Sequence, residues 1–198
     1  MLSSMTSLSS PPSPFRIITV CTGNICRSPM AALMLTEAFD AEGLAGVVVD
    51  SAGTTGYEVG RPIDHRAART LLAYGINSDR HVAREWRPEW FQSRELILAL
   101  DVDHYGWLRQ GAPDRGSLSK IRMLRSFDPA VAGEDPLDQG IEDPWYGGHS
   151  DFELTWSLIR AAVPGIVEHV RAQLDQPGPD QAGADQTQRP EQRVRSIS

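Results

Sequence analysis

The chain has only two cysteines in its 198 residues, Cys21 and Cys26. Two thiols five positions apart are too few for a disulfide framework, and their spacing is not that of a zinc site. No metal site is expected, and a reducing, cytoplasmic compartment is. No run approaches the roughly 18–20 apolar side chains that span a bilayer, so no membrane partner is expected. The first 14 residues are mostly Ser, Thr and Pro, without a basic start or an apolar stretch. That excludes the ordinary secretory signal. Positive charge is not in surplus either, since 19 Lys+Arg against 26 Asp+Glu leaves 19 − 26 = −7. The balance argues against nucleic acid held on a basic surface. Internal repeats are absent.

What is present reads as one α/β domain over residues 15–173. Residues 1–14 are expected to form a disordered extension. Residues 174–198, rich in Asp, Gln, Pro, Gly and Arg, are expected to form a disordered tail. Strand and helix patterns alternate, which predicts a three-layer fold with a four-stranded parallel sheet and helices on both faces. Strands are expected at 15–20, 46–51, 94–99 and 119–123. Helices are expected at 29–41, 64–74, 88–92, 102–110 and 151–173. Asp64 is expected to cap the second helix, Asp101 the fourth, and Ser150 with Glu153 to form a capping box at the last. The last helix carries Phe152, Leu154, Leu158, Ile159, Ala162, Ile166 and Val170 on one apolar face. Pro164-Gly165 is expected to kink or interrupt it.

The chemistry concentrates in Cys21-Thr22-Gly23-Asn24-Ile25-Cys26-Arg27-Ser28. This run lies between the first strand and the first helix, so it predicts a tight loop opening a helix. Successive backbone N–H groups in such a loop converge on one centre and favour an anion. Gly23 is expected to adopt a φ that a side chain would forbid. Ser28 suits the N-cap and Pro29 the first helical position. Arg27 offers a planar fork for two phosphate oxygens. A thiol beside Arg at a helix N-terminus favours the thiolate, which makes Cys21 a candidate nucleophile. Ser28 is placed to hydrogen-bond that sulfur, and Asn24 to brace the loop. The spacing Cys-x5-Arg carries little by itself; the strand before it and the Ser-Pro-helix after it give it weight. Cys26 is either a packing residue or a redox partner of Cys21.

Sulfur attack on a phosphate monoester expels an alkoxide or phenoxide, so a general acid is required. Residues 124–150 form a long Pro- and Gly-rich loop, and a loop of that length usually serves a function. It holds three Asp-Pro pairs, at Asp128, Asp135 and Asp143. Asp143 alone is followed by two aromatics, Trp145-Tyr146, just before a helix. That makes Asp143 the candidate acid and then base. Asp128 and Asp135 read as turn chemistry. Trp145 and Tyr146 serve either as loop packing or as an aryl wall.

The run Val20 to Ala31 resembles the signature of the low-molecular-weight protein-tyrosine phosphatases. The likeness continues through Ser51-Ala52-Gly53-Thr54, Val59-Gly60, His81-x-Ala83-Arg84, Leu98-x-Leu100-Asp101 and Asp143-Pro144-Trp145-Tyr146-Gly147. Residues 122–129 are similar to the actinobacterial branch. The resemblance implies hydrolysis of phosphotyrosine through a phosphocysteine on Cys21, with Arg27 and the loop residues Thr22 to Cys26 and Ser28 holding phosphate. It places Asp143 as acid, Tyr57 with Trp145 and Tyr146 at the pocket border, and Ser51 and His81 as supports of the loop. It favours reversible Cys21–Cys26 disulfide formation as protection of the nucleophile. No cofactor is implied, the partners are phosphotyrosine proteins, a monomer is expected, and export without a signal peptide is compatible with the actinobacterial relatives. The rivals are an arsenate reductase of the same fold, which lacks further cysteines here, and a protein-arginine phosphatase, which carries Thr where Ile25 stands. A binding-only module would be expected to have lost Cys21, Arg27 or Asp143. A thioredoxin-type redox module has a different cysteine spacing.

Overall fold

A computed structural model describes residues 13–175; the tails expected at the two ends lie almost wholly outside the described residues. Strands β1 (Phe15–Cys21), β2 (Val47–Gly53), β3 (Leu96–Ala99) and β4 (Ile121–Met123) pair in parallel in the order β2-β1-β3-β4. Around them lie α1 (Arg27–Ala41), α2 (His65–Ala73), α3 (Trp90–Ser93), α4 (Val102–Gly111), α5 (Arg115–Ser119) and α6 (His149–Leu174). Two short 3-10 turns, Leu124–Phe127 and Pro144–Tyr146, flank the long loop. The three-layer α/β architecture is the expected one.

Strand periodicity builds the layers. Successive strand side chains point to opposite faces, so Ile17 and Cys21 join Met30, Leu35, Phe152, Ile159 and Ile166 on the side of α1 and α6. Ile18 and Val20 join Trp86, Trp90, Phe91 and Leu108 on the side of α3 and α4. Helices cover both faces, which is why β3 reads as an unbroken apolar run and β1 as a mostly apolar one, broken by Arg16 and Thr19. The chain steps from β1 to β2 on one side and returns to β3 on the other. The crevice beyond the carboxyl ends of β1 and β3 is therefore a topological switch point, where open α/β sheets bind ligands.

Several local expectations change. Helix α5 was not expected; it is only five residues long and is capped by Asp114, which accepts from the Ser117 N–H at 2.7 Å. Helix α6 starts two residues early, at His149. Its opening is closed by Asp151 Oδ2 accepting from the Gly148 N–H at 2.7 Å, not by a Ser150–Glu153 box. Glu153 instead accepts from the Tyr74 hydroxyl at 2.9 Å. Leu154 is 54% exposed, while Trp156 and Val167 join the buried face.

Pro164 does not interrupt α6, which runs on to Leu174. Gly165 allows the helix to lie against the turn at Phe127, where an added Cβ would come 2.3 Å from the Phe127 carbonyl oxygen. A glycine-to-alanine change inside a helix ordinarily gains up to about 1 kcal/mol. Here the sign should reverse: Gly165→Ala is expected to lower unfolding free energy by about 1–3 kcal/mol, read as a drop in the urea midpoint.

Candidate active site

The loop leaving β1 turns directly into α1, whose first residue is Arg27. Cys26 occupies the N-cap position without a side-chain cap, so Ser28 and Pro29 stand second and third in the helix, each two places later than expected. Proline remains free of cost there, because the third N–H of a helix also lacks an intrahelical partner. Among the described residues, the N–H groups of Gly23, Asn24, Ile25 and Cys26 donate to no protein acceptor. They form a set of donors suited to an anion.

The left-handed residue of the loop is Asn24, with φ 58°, and not Gly23. Asn tolerates this region better than most residues. Three side-chain hydrogen bonds hold it: Nδ2 donates to Ser28 Oγ at 2.9 Å and to Ser51 Oγ at 2.8 Å, and Oδ1 accepts from the Arg84 N–H at 3.0 Å. His81 Nε2 contacts the Asn24 carbonyl at 2.7 Å. Burial lowers the pKa of His81, the Asn24 carbonyl opposes that, and Arg84 adds to the lowering. A neutral Nε2–H tautomer donating to Asn24 satisfies the site. Gly23 has a different role, since a Cβ there would approach Glu58 Cγ to 3.1 Å.

Cys21 Sγ lies 3.0 Å from Ser28 Oγ, which also sits 3.3 Å from the Ala52 carbonyl. Asn24 already donates to Ser28, so the Ser28 proton is available to the sulfur or to Ala52. Burial drives the Cys26 thiol pKa upward, helped by the charges of Asp64, Cys21 and Asp143. Cys26 is therefore held as the neutral thiol. Both cysteines are free.

Arg27 is 2% exposed. Its Nη1 donates to Asp101 Oδ2 at 2.6 Å and to the Ile141 carbonyl at 3.0 Å, and its Nη2 donates to Asp143 Oδ2 at 2.7 Å. Among the described residues, its Nε has no partner. Asp143 Oδ1 in turn caps the Pro144–Tyr146 turn by accepting from the Trp145 N–H at 3.1 Å. Asp101 is more than the helix cap expected of it. Burial works against its charge, but the His104 backbone N–H and adjacent imidazole, with the charge of Arg27, hold its carboxyl at about 2. His104 Nδ1 lies 2.8 Å from Asp101 Oδ1 but out of line for a hydrogen bond. That contact is electrostatic, while the His104 backbone N–H makes the bond at 2.9 Å. On its other side His104 Nε2 meets Thr22 Oγ1 at 2.9 Å.

A cavity of about 260 Å³ opens over the loop. Cys21, Thr22, Gly23, Ile25, Cys26, Arg27 and Asp143 line it, with Thr55, Tyr57, Glu58, Trp145 and Tyr146 toward the mouth. Tyr57 and Tyr146 are 87% and 94% exposed. Asn24 and Ser28, read from sequence as substrate-binding, are not among the lining residues and instead brace the loop from below, with Ser51 and His81. Sequence reasoning missed the clasp of Asp101 on Arg27, and also His104, Thr55, Glu58 and Arg66. The signal for Asp101 was its place just past β3, at the switch point next to β1. Among the described residues, no group of three or more His, Cys, Asp or Glu could hold a metal ion. No described helix is long and apolar enough to cross a membrane.

Residues 16–176 match the family described as low molecular weight phosphotyrosine protein phosphatase. A low molecular weight protein-tyrosine-phosphatase of Streptomyces coelicolor is 43% identical over 162 residues, covering 81% of this chain and 96% of the relative. Low molecular weight protein-tyrosine phosphatase A of Mycobacterium tuberculosis is 43% identical over 167 residues, 84% of this chain and 98% of that protein. Among solved structures, a protein tyrosine phosphatase from Entamoeba histolytica, crystallised with Hepes in its active site, superposes with a TM-score of 0.74 at 25% identity. That match covers 81% of this chain and 99% of the other. On sequence and on fold, the chain belongs to the low molecular weight protein-tyrosine phosphatases, a family of phosphoric monoester hydrolases.

Proposed function

We propose that this chain hydrolyses phosphotyrosine in proteins, and aryl phosphates generally, in two steps on Cys21. The observation that carries the reading is the convergence of Cys21, Arg27 and Asp143 on one cavity lined by unpaired loop amides. The phosphoryl oxygens sit against the loop amides and the Arg27 guanidinium, which offset the charge that builds on them in the transition state. Cys21 Sγ attacks phosphorus, an S–P bond forms, and the P–O bond to the phenol breaks. Asp143 gives its proton to the departing oxygen. Ser28 Oγ, 3.0 Å from the sulfur, stabilises the thiolate before attack and as it is regenerated. In the second step Asp143 takes a proton from water, whose oxygen attacks phosphorus and releases inorganic phosphate and the Cys21 thiolate. Ile25 and Trp145 give the cavity an apolar side suited to an aryl ring.

Cys21→Ser is expected to abolish turnover of phenyl phosphate while retaining binding of inorganic phosphate by calorimetry; near-wild-type turnover would refute the nucleophile. Asp143→Asn should lower kcat by about 100-fold for phenyl phosphate and far less for p-nitrophenyl phosphate, whose leaving group needs little protonation. Peptides carrying phosphotyrosine, phosphoserine or phosphoarginine should be separated by rate, with phosphotyrosine fastest. Asp101→Asn leaves Arg27 with one carboxylate, and a loss of about 3 kcal/mol in unfolding free energy is expected. The Asp101 carboxyl is depressed from 3.8 to about 2, so its stabilisation is complete above pH 3.8 and disappears as pH falls through 2. Urea midpoints of wild type and Asp101→Asn should therefore differ at pH 6 and converge across that window.

A further inference from the structure

We infer that Arg66 is the positioning residue of the acid loop. This rests on the reading of Asp143 as the general acid. Arg66 lies in the first turn of α2 and touches none of the reacting groups. Asp64 fixes its guanidinium from one side, with Nε on Oδ1 and Nη2 on Oδ2, both at 3.0 Å. The same Asp64 caps α2 by accepting from the Arg66 N–H at 2.8 Å. It is also joined to the phosphate loop, since its backbone N–H donates to the Ile25 carbonyl at 2.8 Å.

The remaining corner of the fork points at the acid loop. Nη1 donates to the carbonyls of Trp145, at 3.0 Å, and Gly147, at 2.9 Å. These residues lie two and four positions after Asp143. The plane of the guanidinium also stacks near two rings, 5.5 Å from the centroid of Trp145 and 4.8 Å from that of Phe152 at the start of α6. One side chain thus ties the phosphate loop, through Asp64, to the middle of the turn that follows Asp143 and to the residue that closes it. It also sets the pose of Trp145, which walls the cavity. With Arg66 removed, the acid loop is tied to the site through the Arg27–Asp143 pair, and a phosphate competes for that same fork.

The geometry needs arginine. A lysine ammonium has the charge but not the planar fork that meets a carboxylate with two donors and two carbonyls with a third. Displacement of a catalytic group by about 1 Å can cost as much as about 100-fold in rate. The loss should fall on the step that uses the acid.

The test compares Arg66→Met and Arg66→Lys with wild type on phenyl phosphate and p-nitrophenyl phosphate, with inorganic phosphate as competitive inhibitor. For both variants kcat on phenyl phosphate should fall at least about tenfold. The rate on p-nitrophenyl phosphate and the inhibition constant of phosphate should change less than about threefold. In an Asp143→Asn background, Arg66→Met should produce little further loss on phenyl phosphate, because the group it positions is gone. Equal losses on both substrates, weakened phosphate inhibition, full additivity with Asp143→Asn, or rescue by lysine would each overturn the assignment in favour of a general structural role. Should Arg66→Met not fold, Arg66→Lys carries the same comparison. A wild-type protein with no activity on either aryl phosphate would instead remove the function on which the inference rests.

Discussion

Arg27 carries a permanent charge at 2% exposure. A charge so placed is costly unless it is paired and hydrogen-bonded. Two carboxylates meet that need from different parts of the chain, Asp101 from the end of β3 and Asp143 from the long loop after β4. The requirement fixes more than a local contact. It draws the loop after β4 back across the sheet to the carboxyl end of β1, and the Ile141 carbonyl, 3.0 Å from Nη1, marks where that loop arrives. A buried pair of this kind is weak evidence for net stability. Its effect is to specify one arrangement of three separate segments.

Support from beneath is equally economical. Asn24 takes the strained backbone position of the loop, and four partners on three segments compensate it: Ser28 in α1, Ser51 in β2, and His81 and Arg84 before α3. These hydrogen bonds leave the amides of residues 23–26 without acceptors among the described residues. The loop is thus held from its outer side while its inner side stays available to an anion. That division follows from topology, because β2 ends beside β1 with Gly53 in register with Cys21. An added Cβ on Gly53 would lie 2.6 Å from the Thr22 carbonyl oxygen.

Much of this was legible in the sequence, for physical reasons. β1 and β3 are covered on both faces, so their apolar runs stand out, and α1 and α6 are long enough to show a helical period. The loop residues were legible because their chemistry is local. What escaped were ties between distant residues. Asp101 and Arg27 are 74 positions apart and meet only because β3 pairs with β1. Arg66 reaches residues about 80 positions away and carries no local motif. The exchange of roles between Gly23 and Asn24 has a different source. Glycine is the usual occupant of a left-handed position on intrinsic preference, but a buried Asn with its hydrogen bonds satisfied outweighs that preference. The capping of α6 shifted because Asp151, with a short side chain, closes on the Gly148 N–H while Glu153 is engaged by Tyr74.

A chain with a net charge of −7 attracts a phosphate only through local potential, and most guanidinium charge near the cavity is already neutralised. Asp64 neutralises Arg66, and Asp50 is shared between Arg84 at 2.9 Å and Arg94 at 2.6 Å. Arg27 holds two carboxylates, leaving its Nε and the loop amides as open donors. On the proposed mechanism, a phosphate dianion entering the loop competes with one of those carboxylates for the fork. The two are not equally held. Asp101 is 23% exposed at its side chain and is anchored by the His104 N–H, whereas Asp143 is 39% exposed and anchored by the Trp145 N–H at a longer 3.1 Å. The weaker clasp yields first, and it belongs to the residue assigned as the acid. Phosphate binding and release of the acid from its resting partner then become one event, so Asp143 is freed only when there is a leaving group to protonate. The guanidinium passes from a carboxylate to a phosphate without being left bare, which is the condition its burial imposes.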